Sequence, residues 1–210
     1  MLIASDVSHS YGKGHAVLSN VSFSFPGPGL LVVTGSSGSG KTTLLNILGG
    51  ILSPSHGEAS FGGISASRLR PTWMFQTPNV LAHRTALDNA ALGAVASGQQ
   101  WQASLSSASQ GLRRYGLSHV ENKTARTLSG GEVQRLVLAR AELSHARLIL
   151  ADEPTGQLDH DNSLMVAGAL RRLADSGATV VSATHDQLVA GHADATITIV
   201  NGRASNVAHP

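Results

Sequence analysis

The stretch LLVVTGSSGSGKTTLLNILGG, Leu30 to Gly50, decides the fold. Leu30–Thr34 is an apolar, β-branched run, as expected of a strand buried on both faces of a sheet. Gly35–Thr42 then reads GSSGSGKT and matches G-x-x-x-x-G-K-[ST], the spacing of a phosphate-binding loop between a strand and a helix. Its glycines let backbone N–H groups curl around phosphate oxygens without Cβ clashes. The following helix aims the positive end of its dipole at the same point. That helix is expected from Gly40 to about Leu48, closed by Gly49 and Gly50. Lys41 reaches toward the β- and γ-phosphates, and Thr42 offers a hydroxyl to Mg²⁺, a hard ion that takes oxygen ligands. A Gly/Ser linker has no reason to carry Lys-Thr after an apolar strand. The candidate cofactor-binding residues of this loop are Gly35, Ser36, Ser37, Gly38, Ser39, Gly40, Lys41, Thr42 and Thr43.

A second strand, RLILAD (Arg147–Asp152), supplies the other half of such a site. Asp152 emerges at its C-terminal end, the ligand side of an open α/β sheet, where a carboxylate holds Mg²⁺ directly or through water. Glu153 follows at once and stands where a base is needed to position water beside a phosphoryl group. Without the phosphate loop, two carboxylates before Pro154 would read equally well as the start of a surface turn.

The rest of the chain alternates strands and helices, which favours a mainly parallel α/β sheet. Val17–Phe25 alternates apolar and polar residues like a half-buried strand. Pro71–Gln76 and Thr179–His185 read as further strands, Met165–Asp175 as an amphipathic helix, and Thr196–Ala204 as a closing strand and turn. Thr85, with Asp88 three residues on, forms a capping-box pattern. It opens an Ala-, Ser- and Gln-rich helical insert, put at about 77–140 within a single domain of 1–210.

Composition narrows the classes. At 210 residues the chain suits one α/β domain. Its formal charge of +2 and isolated arginine pairs, Arg113/Arg114 and Arg171/Arg172, give no argument for nucleic acid. There are no cysteines, which fits a reducing compartment. MLIASDVSHS has no charged and apolar leader pattern, and no apolar run approaches a membrane span.

One motif is left over. Leu128–Arg135 reads LSGGEVQR, with Ser129, Gly130 and Gly131 at the mouth of a helix. Adjacent glycines there are entropically expensive. A hydroxyl, bare N–H groups and a helix N-terminus together make an anion site, yet the chain already has a phosphate cradle.

With these motifs in this order, the sequence resembles the ATP-binding cassette (ABC) ATPases along nearly its whole length. The phosphate loop at Gly35–Thr42, the signature at Leu128–Glu132, the Walker B strand at Leu148–Glu153 and a lone histidine after a late strand carry the resemblance. It implies a P-loop NTPase fold: a mainly parallel sheet, an N-terminal antiparallel β portion and a helical insert. It implies that Gln76 senses the γ-phosphate and Mg²⁺, that His185 contacts the γ-phosphate, that Asp159 links the two sites of a dimer, and that Tyr11 stacks on adenine. Glu153, His185 and Gln76 are thus the candidate catalytic residues, and Thr42, Gln76 and Asp152 the candidate Mg²⁺ ligands. The signature would meet ATP bound by a second copy, so that two ATP molecules are held in a head-to-tail homodimer. LADEPTGQLD looks like the branch of lipoprotein-releasing, macrolide-export and cell-division ATPases, with Gln157 a mild departure.

The resemblance implies the ATP-hydrolysing subunit of an ABC transporter, cytoplasmic, peripheral on the inner membrane face and bound to a separate integral membrane permease. Two other readings stay open: a cassette that regulates a membrane complex, as in cell division, and a soluble ABC ATPase of DNA repair or translation. The second lacks the expected coiled coils or paired cassettes. A P-loop kinase leaves the signature unexplained.

Overall fold

The computed structural model describes residues 1–12, 14–156 and 158–208. Gln157 lies outside them. The chain opens with antiparallel strands β1 (Leu2–Ser10) and β2 (Ala16–Phe25), followed by β3 (Gly29–Thr34) and α1 (Lys41–Leu48). Strands β4 (His56–Phe61), β5 (Ile64–Ser65) and β6 (Thr72–Met74) precede helices α2 (Ala86–Ala96), α3 (Trp101–Arg114) and α4 (Gly130–Leu143). The chain then alternates through β7 (Leu148–Asp152), α5 (His160–Asp175), β8 (Thr179–Ala183) and α6 (Gln187–Ala190), and closes with β9 (Ala195–Val200) and β10 (Arg203–Ala208).

Among the described residues the strands form two sheets. One is antiparallel, in the order β2-β1-β4-β5; the other runs β10-β9-β3-β8-β7-β6 and is parallel except for β10. The strand period of two explains how they pack. Along β3, Leu31 and Val33 face a core shared with α1 and the antiparallel sheet, whereas Leu30 and Val32 face a core shared with α2–α5. Strand β7 divides the same way: Leu148 and Leu150 to the first core, Ile149 and Ala151 to the second. Both faces of these strands are therefore dry. Each fully buried Leu, Ile or Val contributes about 1.5–3 kcal/mol relative to exposure.

The expected strand at Pro71–Gln76 shortens to Thr72–Met74. Pro71 has no N–H to donate to the ladder, and Phe75 and Gln76 leave the sheet edge. Strand β1 (Leu2–Ser10) is not among the strands expected from the sequence. Its alternation, with Leu2, Ala4, Val7 and His9 buried, is interrupted at Asp6, whose φ is 50° at a register irregularity against β2. A bulge shifts the side-chain period by one residue and hides the strand from a strict alternation test. Helix α2 begins as expected: Thr85 Oγ1 accepts from Asp88 N at 3.0 Å and Asp88 Oδ2 accepts from Thr85 N at 3.4 Å.

Asp194 pins the start of β3. Its Oδ2 accepts from Leu30 N and from Arg171 Nη1, both at 2.7 Å. Burial pushes this carboxyl up, but the Leu30 N–H and the Arg171 guanidinium outweigh it and hold the group below the usual carboxylate range. A depressed carboxyl stabilises the fold above its unfolded pKa, about 3.9, and that contribution is lost as pH falls through the folded value. Asp194→Ala is expected to cost about 1–2 kcal/mol at pH 7, since hydrogen bonds to ions are the strong ones but solvent screens this exposed pair. Urea unfolding at pH 7 and below pH 4 checks it: the gap from the unaltered protein should shrink in acid.

Candidate functional site

The loop between β3 and α1 takes the shape its glycines permit. Gly35 has φ 149°, and a Cβ there would lie 2.5 Å from the Ile199 carbonyl and 2.6 Å from Ser39 Oγ. Gly40, at φ 108°, is the N-cap of α1 and provides no side-chain cap. The first N–H groups of α1, which have no intrahelical acceptor, therefore face the loop mouth. Lys41 Nζ donates to the Gly35 and Ser36 carbonyls at 2.9 and 3.2 Å and stands 3.6 Å from Glu153 Oε1. Thr42 Oγ1 donates to Asp152, at 2.9 Å from Oδ2. The buried Asp152 carboxyl is raised above its usual range, first by burial and then by the Glu153 charge, against the opposing pull of Thr42 and Lys41. A raised carboxyl favours its protonated form in the folded chain, a contribution present below the unfolded pKa and lost as pH rises through the folded one. A cation beside it would reverse that preference.

Parallel pairing of β7 with β8 sets Asp152 opposite Ala183. Glu153 leaves the strand at φ 44°, its N–H bonded to the Ala183 carbonyl at 2.8 Å. Two residues past β8, His185 brings Nδ1 to 3.3 Å from Glu153 Oε1. Holding a non-glycine residue left-handed costs about 1–2 kcal/mol and turns the Glu153 side chain toward Lys41 and His185 instead of along the strand. Ser37, Gly38, Gly40, Lys41, Thr42, Thr43, Gln76, Glu153 and His185 line one cleft of 390 Å³. Tyr11, 56% exposed, hydrogen-bonds Thr43 Oγ1 at 3.2 Å at the loop's edge.

Ser129, Gly130 and Gly131 do not line this cleft. They start α4, where Ser129 and Glu132 form a capping box: Glu132 N donates to Ser129 Oγ at 3.3 Å and Ser129 N donates to Glu132 Oε2 at 2.7 Å. The Ser-x-x-Glu spacing was readable in the sequence and missed there. Hydrogen bonds from Ser129 hold the Glu132 carboxyl below its usual range. A Cβ on Gly130 would meet nothing within 4 Å, so the packing of this chain does not require glycine at that position. Asp159 caps α5, with Oδ1 accepting from Asn162 N at 2.8 Å. One further residue went unread in the sequence: Gln134, buried, donates from Nε2 to the Pro154 carbonyl at 2.7 Å.

Comparison with known proteins adds lineage to this geometry. A family model described as ABC transporter matches residues 18–156. The chain is 37% identical over 212 residues to the macrolide export ATP-binding/permease protein MacB of Salmonella choleraesuis, covering 94% of this chain and 33% of that protein. It is 35% identical to the protein of that name in Campylobacter jejuni, covering 96% of this chain and 33% of the relative. The chain thus spans about a third of the length of these relatives. Among solved structures it is similar to the ATP-binding cassette MJ0796, in a dimeric post-hydrolysis state bound to ADP and Pi, with TM-score 0.88 and 28% identity over 100% of this chain and 98% of that one.

Proposed function

The chain belongs to the ABC transporter family as an ATP-binding cassette, and on that premise we propose that it binds and hydrolyses ATP between two copies of itself to drive an integral membrane permease. The observation that carries the reading is the convergence of Lys41, Thr42, Glu153 and His185 in one cleft at the C-terminal ends of β3, β7 and β8, with the buried Asp152 hydrogen-bonded to Thr42 beside it.

Each residue has a task its surroundings allow. The N–H groups of Gly35–Thr43 and the α1 dipole cradle the phosphates. Lys41 moves from the Gly35 and Ser36 carbonyls to the β- and γ-phosphates. Glu153 orients the attacking water and takes its proton, while His185 and Gln76 border the γ-phosphate. Tyr11 offers its exposed ring to adenine. Thr42, Asp152 and Gln76 would hold Mg²⁺; their oxygen donors suit a hard cation, and the buried Asp152 beside the Thr42 hydroxyl is a carboxylate in want of positive charge. Among the described residues no three His, Cys, Asp or Glu side chains converge as a metal site, so phosphate and water oxygens would complete the shell. The ion's contribution is to neutralise charge on the phosphates.

Ser129, Gly130 and Gly131 lie outside the lining of the chain's own cleft. The Ser129 N–H is taken by Glu132, while the N–H groups of Gly130 and Gly131, in the first turn of α4, have no intrahelical acceptor, and the open space at Gly130 fits an approaching phosphate from a second copy. The pair of copies is a homodimer with two ATP molecules. Residues 77–140 act as the helical subdomain that carries the signature. The permease is a separate subunit, and the cassette sits on the cytoplasmic face of the membrane beside it. In the macrolide exporters the two functions share one protein. No helix among the described residues is long and apolar enough to cross a membrane.

Gly130→Asp tests the shared site. An acidic residue in the first turn favours the helix dipole by about 0.3–1 kcal/mol and its Cβ meets nothing within 4 Å, so thermal stability should hold or rise slightly. The same charge faces the partner's γ-phosphate, so ATP-dependent dimerisation by size-exclusion chromatography should vanish while ATP binding to the monomer persists. A variant that dimerises normally with ATP would sink the sandwich.

A further inference from the structure

The geometry points to Gln134 as a positioning residue that ties the placement of Glu153 to the signature helix. Glu153, Pro154 and Thr155 form the turn that leaves β7 for α5. The turn is closed by Gly156 N donating to the Glu153 carbonyl at 3.2 Å and Leu158 N donating to the Thr155 carbonyl at 3.1 Å. The Glu153 N–H is fastened to β8 through the Ala183 carbonyl. The next carbonyl along, that of Pro154, is held by a different element: Gln134 of α4, 6% exposed, donates to it at 2.7 Å across 20 residues of sequence. Adjacent on α4, Arg135 Nη1 donates to Asn162 Oδ1 at 3.1 Å, and Asn162 is the residue that Asp159 caps. Two successive residues of one helix thus grip both ends of the segment from Pro154 to Asn162.

This helix is the one whose first turn is Ser129, Gly130 and Gly131. Gln134 lies five residues from Ser129, about 7.5 Å along the axis, within a rigid run of helical hydrogen bonds. A shift of α4 when its N-terminus takes up a phosphate therefore moves the Pro154 carbonyl, and with it a glutamate already held at φ 44°. A left-handed, non-glycine residue has few neighbouring conformations to relax into, so its carboxylate follows the turn. Gln134 reports engagement of the signature to the carboxylate that handles water.

The inference rests on the reading of Glu153 as the base, and the test separates the two. Variants of the full chain are compared in Mg-ATP turnover and in binding of a fluorescent ATP analogue. Gln134→Leu removes the donor at similar volume and is expected to lower kcat about 10- to 10²-fold, with KM and nucleotide affinity changed less than ~3-fold. Gln134→Glu is expected to be comparably slow at pH 8 and to approach the unaltered protein as pH falls toward 5.5, because a protonated carboxyl regains an O–H donor for the Pro154 carbonyl. Lost packing alone would give no such recovery. Gln134→Leu combined with Glu153→Gln should be no slower than Glu153→Gln alone, since residues that act as a unit are not additive. If Glu153→Gln keeps normal turnover, the base is misassigned and this inference goes with it. If Glu153→Gln is slow while Gln134→Leu keeps normal kcat, or the double variant multiplies the two losses, the positioning role alone is overturned. Should Gln134→Leu fail to fold, the Gln134→Glu pH profile decides, a flat ratio to the unaltered protein overturning the role.

Discussion

Glu153→Gln is expected to lower ATP turnover by about 10²–10⁴-fold, the range lost when a general base is removed, while ATP binding stays or tightens. The amide keeps the shape of the side chain but accepts no proton. It also withdraws a negative charge from a cleft built to hold phosphates, and charges at such distances interact by several kcal/mol even at an effective dielectric constant of about 20. Binding without turnover leaves ATP between the copies, so the variant should elute as a dimer in ATP and Mg²⁺ and as a monomer without nucleotide. Turnover and size-exclusion elution, measured on one preparation, check both halves. A variant that stays monomeric in saturating ATP removes the main support for shared sites. One that hydrolyses at the normal rate moves the base elsewhere in the cleft.

Lys41→Ala is expected to fail at the earlier step. Lys41 is 7% exposed, and its ammonium donates to the Gly35 and Ser36 carbonyls while facing Glu153 at 3.6 Å. Removing it takes away a charge-assisted hydrogen bond to phosphate, about 1.5–3 kcal/mol, or roughly 10- to 150-fold in ATP affinity. Loss of a preorganised donor where charge develops adds about 10²–10³-fold in turnover. Lys41→Arg should rescue little: the lysine is buried beside Gly35 and Gly40, where an added Cβ would already lie under 3 Å from its neighbours, and a planar guanidinium is no substitute there for a compact ammonium. Calorimetric ATP binding separates this variant from Glu153→Gln, which binds and does not turn over. Normal affinity and turnover in Lys41→Ala would withdraw the phosphate assignment.

How much was legible depends on how local each feature is. GSSGSGKT needed no tertiary information, because its glycines, lysine and threonine are consecutive and their spacing is their geometry. The same holds for the capping box of Thr85 and Asp88 and for the end of α1 at Gly49, which caps the helix where the sequence stops it. Strand β1 was missed because a bulge at Asp6 shifts its alternation. Gln134 was passed over because an amide inside LSGGEVQR looks like any polar helix residue until the Pro154 carbonyl is seen 2.7 Å away. The Ser129–Glu132 capping box was overlooked although its spacing was in plain view.

By itself the sequence determined the phosphate loop, the alternation of strands and helices, and the residue types fit to handle phosphate and Mg²⁺. Each is written in contiguous spacing that backbone sterics and hydrogen bonding translate directly. Only the tertiary structure decided which buried face each residue of β3 and β7 takes, because a strand dry on both sides carries no polar stripe to orient it. It alone decided that β8 lies between β3 and β7, bringing Lys41 to Glu153 and His185, both more than a hundred residues further along the chain. It also decided that Ser129, Gly130 and Gly131 of LSGGEVQR stay out of the lining of the cleft their own chain builds. Strand order is set by which apolar surfaces close on one another, and no single stretch of chain contains that information.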